Sequence, residues 1–250
     1  MCRKKLAIII MTMFFMVSTA TKAEDPVYFS DLDLKADVVE QLQRTDPTIT
    51  DPTPTDMLGL THLDAGRNIT DLTGIEYGTN LVVLDLLANQ ISDISPLSGL
   101  TNLLDLRLGS NRISDISALS GLAKLQKLNL TWNQITDVSP LSGLTNLTML
   151  QMAYNEISDI SPLSGLTNLI DLRLGINQIS DISALSGMTS LQNLNLDGNQ
   201  IGNNISAISG LTSLIYLDLG ANQINDISAI SGLTNLRGFA RVTHIGSCQE

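Results

Sequence analysis

An α/β solenoid is the fold class this sequence predicts, and three observations predict it. One stretch is written over and over, most cleanly from Leu169 to Met188 as LIDLRLGINQISDISALSGM. Copies in register begin at Leu81, Leu103, Leu125, Leu147, Leu169, Leu191 and Leu214, spaced by 22 residues, with 23 only between the last two. Each copy reads L-x-x-L-x-L-x-x-N, which at a period of about 20–29 residues is the pattern of a leucine-rich repeat. The expected architecture is a right-handed horseshoe. It has a parallel β-sheet on the concave face, short 3-10 or helical turns on the convex face, and a helical N-terminal cap. No coil can bury its leucines alone, so stability has to come from stacking.

Within one coil the alternation of Leu169 to Leu174 sets Leu172 and Leu174 on one face and Asp171 and Arg173 on the other, as in a short half-buried strand. The asparagine column (Asn89, Asn111, Asn133, Asn155, Asn177, Asn199, Asn222) follows, where the chain turns inside the stack. Backbone groups there would otherwise lack partners, and an amide offers both donor and acceptor. Ile179 and Ile182 then return to the core. Ser95-Pro96, Ser139-Pro140 and Ser161-Pro162 read as an N-cap followed by proline at the first helical position. Gly99, Gly121, Gly143, Gly165, Gly187, Gly210 and Gly232 are expected to end that turn in the left-handed region.

The chain has 250 residues, a net charge of −11, 43% apolar residues and 4% aromatics, which suits a folded protein with an aliphatic core. Residues 1–23 stand apart. Arg3, Lys4 and Lys5 precede an apolar run from Leu6 to Val17 and then small residues, the pattern of a secretory signal peptide. Cleavage after Ala20 or Ala23 fits, with Ala23 preferred; an uncleaved anchor is the alternative. Cleavage after Ala23 removes four basic residues and no acids, taking −11 to −15. Such a charge makes nucleic acid and anionic membranes poor candidates as partners. Cys248 is then the single cysteine, so no disulfide can form within the mature chain. The expected location is the cell surface or the medium, as a monomer with no membrane insertion after signal cleavage.

The repeat is absent from 24–59. DLDLKADVVEQLQR fits an amphipathic helix carrying Leu32, Leu34, Val38, Val39 and Leu42, with Asp31 as its cap, and Thr55 to Leu58 one more turn. A helical segment there covers the leucines and sheet edge of the first coil. The repeat domain runs over 60–236, opening with a coil one residue short at Leu60. Ile201 to Ile205 holds one residue more than its counterparts, an expected bulge on the outer side. Over 237–250 the pattern degenerates: Arg241 takes a core leucine position and His244 the asparagine position. Either Phe239 and Val242 close the stack, or the natural chain runs on.

Catalytic parts are missing. There are two histidines, no HExxH, no GxSxG and no phosphate-binding glycine loop. No enzyme activity, metal or cofactor is expected. The aspartate column (Asp71, Asp93, Asp115, Asp137, Asp159, Asp181, Asp226) lacks the alternating oxygen ligands of a calcium loop. Each member lies two residues before a serine or threonine and is better suited to accepting backbone N–H bonds. The concave face is the candidate site. Outward strand positions include Asp105/Arg107, Lys127/Asn129, Met149/Gln151 and Asp171/Arg173. Beside the turn stand Ala88, Ser110, Trp132, Tyr154, Ile176, Gly198 and Ala221. Three successive coils place a large apolar residue where others use a small one. Trp132, Tyr154 and Ile176 with Met149, rimmed by Asp105, Arg107, Lys127, Gln151, Asp171 and Arg173, read as an apolar anchor with a polar rim. The alternative is that Trp132 and Tyr154 only pack on each other.

The repeated N-Q-I-S-D-I-S-P/A-L-S-G-L-T-N-L, over Leu60 to Leu236, resembles the 22-residue repeats of bacterial internalins, and also those of the protein phosphatase 1 regulatory repeat protein. The opening ITDLTGIEYGTNL is similar to the first coil of exported bacterial members. The internalin resemblance implies a helical cap before the repeats and a concave face that binds a protein, often through aromatics; Trp132 and Tyr154 fit that role. An immunoglobulin-like segment, a wall-sorting motif and a surface-anchoring module do not follow the repeats, so host adhesion is not implied. Two further readings stand beside an exported protein-binding module. One is a phosphatase-regulatory subunit, which an export signal opposes. The other is a recognition or spacer segment of a larger product.

Overall fold

Three-residue strands are all that the L-x-L alternation needs, and each coil supplies one. A computed structural model describes residues 24–66 and 68–240. The signal peptide reading at 1–23 and the tail from Arg241 lie outside the described residues. The strands are β1 (His62–Asp64), β2 (Val83–Asp85), β3 (Asp105–Arg107), β4 (Lys127–Asn129), β5 (Met149–Gln151), β6 (Asp171–Arg173), β7 (Asn193–Asn195), β8 (Tyr216–Asp218) and β9 (Gly238–Ala240). They form one nine-stranded parallel sheet in chain order. Leu84, Leu106, Leu128, Leu150, Leu172, Leu194 and Leu217 face one another in unbroken register. Strand leucines and the Ile179/Ile182 type of return residue are buried throughout, in one core that runs from Val27 to Leu233. The solenoid of leucine-rich repeats is the fold the sequence predicts.

The asparagine column carries the stack as expected. Asn155 Nδ2 donates to the carbonyls of Leu130 and Met152 at 3.0 and 3.1 Å, and its Oδ1 accepts the Ile135 N–H at 3.0 Å. The same set recurs at Asn177 and Asn199. A second amide ladder went unnoticed in the sequence, at the asparagine of the T-N-L step. Asn102, Asn146, Asn168 and Asn235 each donate to a carbonyl of the preceding coil at 2.8–2.9 Å.

Two local expectations are corrected. The serines that open the convex turns are the first residues of 3-10 segments such as Ser95–Gly99 and Ser139–Leu141, not their N-caps. The flanking residues are Ile94 and Val138, and neither gives a side-chain cap. The aspartate two residues earlier does that work: Asp93, Asp115, Asp137, Asp159, Asp181 and Asp226 each accept the serine N–H at 2.8 Å. The turn glycines are not left-handed either, because a single 3-10 turn exits through a residue such as Leu100 at φ −82°, ψ 54°. The left-handed position lies instead on the opposite side of each coil, beside the strand.

At the N-terminus α1 (Leu32–Gln43) packs on β1, burying Leu34, Val38 and Leu42. Leu32, counted with the apolar face, is 76% exposed because it is the first helical residue, outside the contact. Asp31 caps this helix as expected. Its Oδ1 accepts from Asp33 and Leu34, and its Oδ2 accepts the Thr70 N–H at 2.8 Å, tying cap to first coil. The short α2 (Pro54–Met57) opens with a Thr53/Asp56 capping box. The longer coil before β8 keeps the sheet in register. Its extra length is held on the convex side by Asn203 Oδ1, which accepts the N–H groups of Asn225 and Asp226. Beyond Leu236 the backbone still adds β9 to the sheet.

Candidate protein-binding surface

The third residue after each strand, directly before the asparagine, must turn the chain sharply so that the asparagine can enter the stack. In seven coils it does so at positive φ: Ala88 58°, Ser110 56°, Trp132 58°, Tyr154 58°, Ile176 55°, Gly198 62° and Ala221 48°. This is where L side chains are disfavoured, most of all β-branched ones. The three large apolar residues singled out in the sequence therefore occupy the least hospitable position of the repeat. They are also not buried: Trp132 is 55% exposed, Tyr154 and Ile176 39% each. Trp132 and Tyr154 stack face to face, ring centroids 3.7 Å apart and planes 10° apart, so the expected mutual packing is real. It covers one face of each ring and leaves the pair in solvent. Ile176 leans over Gly198, where an added Cβ would stand 2.4 Å from its Cδ1. Here glycine serves both the positive φ and the close approach.

The polar rim lies on the strands. Arg107 reaches Asp85 at 3.0 Å and Asp105 at 3.3 Å. Arg173 forms a two-pronged fork with Asp171, both contacts at 3.0 Å. Hydrogen bonding to these aspartates raises both guanidinium pKa values. These charges are thus compensated within the chain. Between them, Gln151 Nε2 lies 3.7 Å from the Met149 sulfur. The Lys127 side chain has no hydrogen bond or ion pair among the described residues. Asp105, Arg107, Lys127, Asn129, Met149 and Gln151 line one shallow cleft of about 150 Å³. The rim thus brings Lys127, Met149, Gln151 and the Asp105/Arg107 pair together, while Asp171 and Arg173 belong elsewhere.

That second place is a cleft of about 310 Å³ over β6 to β8, lined by Asp171, Arg173, Asn193, Asn195 and Tyr216. Tyr216, Asn193 and Asn195 were not among the residues selected from the sequence. The signal available was the tyrosine itself, at a strand position that is polar or charged in most coils. Tyr216 donates to Asp218 at 3.2 Å. Next to it, burial and then the neighbouring Asp218 push the Asp197 carboxyl up. Among the described residues no group of three or more His, Cys, Asp or Glu could hold a metal ion.

Two family models agree with this architecture. "Leucine Rich repeats (2 copies)" matches residues 123–165, 145–187 and 189–235, and "Leucine rich repeat" matches 79–135. Among solved structures, internalin C2 of Listeria monocytogenes is 39% identical, with a TM-score of 0.80, over 85% of this chain and 93% of that one. The chain belongs to the internalin family of leucine-rich repeat proteins. A second Listeria monocytogenes internalin, InlF, is 35% identical with a TM-score of 0.71, covering 88% of this chain and 72% of its own. A leucine-rich repeat protein of Leptospira interrogans is 29% identical with a TM-score of 0.70, over 74% and 49% respectively. No curated protein matches the chain. Internalin-like repeat proteins are non-enzymatic interaction scaffolds, and this chain is a protein–protein interaction module. Among the described residues no helix is long and apolar enough to cross a membrane.

Proposed function

We propose that the protein is exported and binds one protein partner through the concave face, as a monomer and without catalysis. Recognition centres on Trp132, Tyr154 and Ile176, with Met149, Lys127 and Gln151 beside them. The pair Asp105/Arg107 forms the rim there, and Asp171/Arg173 contributes from the second cleft over β6 to β8. The observation that carries this reading is the cost of the apolar row. Three bulky side chains sit at φ 55–58° and stay 39–55% exposed, in a position that neighbouring coils fill with alanine, serine or glycine. Backbone strain of about 1–3 kcal/mol per site, retained without burial in return, is a mark of function rather than packing. Tryptophan and tyrosine are also the side chains that dominate interface energetics. Export rests on the signal pattern at 1–23.

The test is capture of partners by the mature protein from Glu24 and by a Trp132→Ala/Tyr154→Ala variant, after matching their far-UV spectra and melting temperatures. A partner retained by the wild type and lost by the variant supports recognition at the aromatic row. A partner held equally by both moves the site to the convex side or the caps. Sequencing the N-terminus of protein recovered from the medium or cell surface tests export; an intact Met1 there, or retention in the cytosol, refutes it.

A further inference from the structure

The stack of Trp132 on Tyr154 is one-sided. Tyr154 covers the tryptophan face toward the C-terminal coils, yet Trp132 keeps 55% of its surface exposed. On the other side the same position of the preceding coil is Ser110, and of the coil before that Ala88. Both are exposed, and both hold the same left-handed conformation as Trp132. Coils repeat at the strand spacing of about 4.8 Å, and a flat ring needs about 3.5 Å. The coil of Ser110 therefore leaves open the place that a third ring of the row would occupy.

The charges nearby narrow the occupant. Arg112, two residues beyond Ser110, donates to the neutral Gln90 at 2.8 Å and has no ion pair among the described residues. A partner cation placed over Ser110 would approach a coil that already carries this guanidinium without a carboxylate partner, whereas a neutral ring meets no such repulsion and gains the stacking the row already shows.

We propose that the uncovered face of Trp132, above Ser110, is a subsite for one neutral aromatic side chain of the partner. This rests on the reading of the concave rim as a protein-binding surface. The ring continues the Tyr154–Trp132 stack by one coil, where the row itself supplies only the Ser110 hydroxymethyl group and the exposed Leu87 lies against the adjacent Gly109 as a further apolar contact.

Trp132 is the single tryptophan, so its indole N–H gives one resolved signal in a ¹H–¹⁵N spectrum. The full mature chain is titrated with N-acetylphenylalaninamide, N-acetylleucinamide and N-acetylargininamide. The expected result is a saturable shift of the indole signal with the phenylalanine probe, at an affinity about fivefold above either of the others. Ser110→Tyr fills the place from within and abolishes the response. Leu32→Ala, at an exposed position of the N-terminal helix outside the row, leaves it unchanged. Tyrosine at 110 takes a conformation that Tyr154 already holds. Should it lower the melting temperature, Ser110→Met is the thinner filler with the same expectation. An equal or larger response to the leucine or arginine probe, no response, or a response that survives filling position 110 overturns the subsite. The concave-face reading then stands or falls separately, on the Trp132→Ala/Tyr154→Ala capture, with Ser110→Tyr binding the partner like the wild type.

Discussion

Asn155→Ala probes how the coils are held together. The side chain is 9% exposed and lies in the middle of the stack. Its Oδ1 accepts the Ile135 N–H at 3.0 Å, and its Nδ2 serves the carbonyls of Leu130 and Met152. Those two carbonyls each keep a second amide, from Asn133 at 3.1 Å and from Asn177 at 3.0 Å. Alanine therefore orphans one buried donor outright and removes one of two bonds from each of two acceptors. The orphaned N–H costs about 1–3 kcal/mol and the weakened carbonyls about 1 more, so the loss is about 2–4 kcal/mol. For a chain of this size that lowers the melting temperature by about 5–12 °C. Calorimetry and urea titration measure it, with amide exchange to show whether the loss is local to the coils of β4 and β5, as nearest-neighbour stacking requires. Asn155→Asp sharpens the test. It keeps the acceptor for Ile135 but turns a carboxylate oxygen toward two carbonyls, so at neutral pH it is expected to be worse than alanine. A loss below about 0.5 kcal/mol for alanine, or an aspartate variant as stable as the wild type, would refute the ladder as the principal clamp.

Two further predictions follow from the strained and the charged positions. Ile176→Asn replaces a β-branched residue at φ 55° with one that tolerates the left-handed region, so the melting temperature rises by about 1–3 °C while partner capture weakens; a fall in stability would show that the contact over Gly198 outweighs the strain. Acid sensitivity is confined to low pH. Burial pushes the Asp31 carboxyl up, but the N–H groups of Thr70, Leu34 and Asp33 outweigh it and hold it below the ordinary 3.8. The serine N–H groups do the same at Asp115, Asp159 and Asp226. A folded-state pKa below the unfolded one stabilises above the unfolded value, and that stability is lost as pH falls through the folded one. The melting temperature is thus expected not to fall between pH 7 and about 3.8, where protonation of the raised Asp197 carboxyl adds stability, and to drop below that, with a shallower drop in Asp31→Ala. A decline that sets in above pH 5 would contradict this assignment.

The fold was legible because a solenoid is nearly one-dimensional. Its contacts are between neighbouring copies of one text, so period, register, core columns and the asparagine turn can be read from spacing alone. The insertion at Ile201 to Ile205 and the capping residue Asp31 were visible for the same reason, since each is a local departure or a local signal. The candidate row of Trp132, Tyr154 and Ile176 was legible as a break in a column. Other features needed the coordinates because they depend on backbone angles and on distances between coils. Sequence spacing does not say which turn of the coil is left-handed, and glycine marked the wrong one. The convex glycines are unstrained, while tryptophan, tyrosine and isoleucine carry the positive φ. Nor does spacing show that Arg107 reaches back to Asp85 in the previous coil while Arg173 is satisfied by Asp171 within its own. Periodicity fixes which residues share a column. The rotamers and φ values that fix what each column does are set by packing against the next coil, and only the tertiary structure decides them.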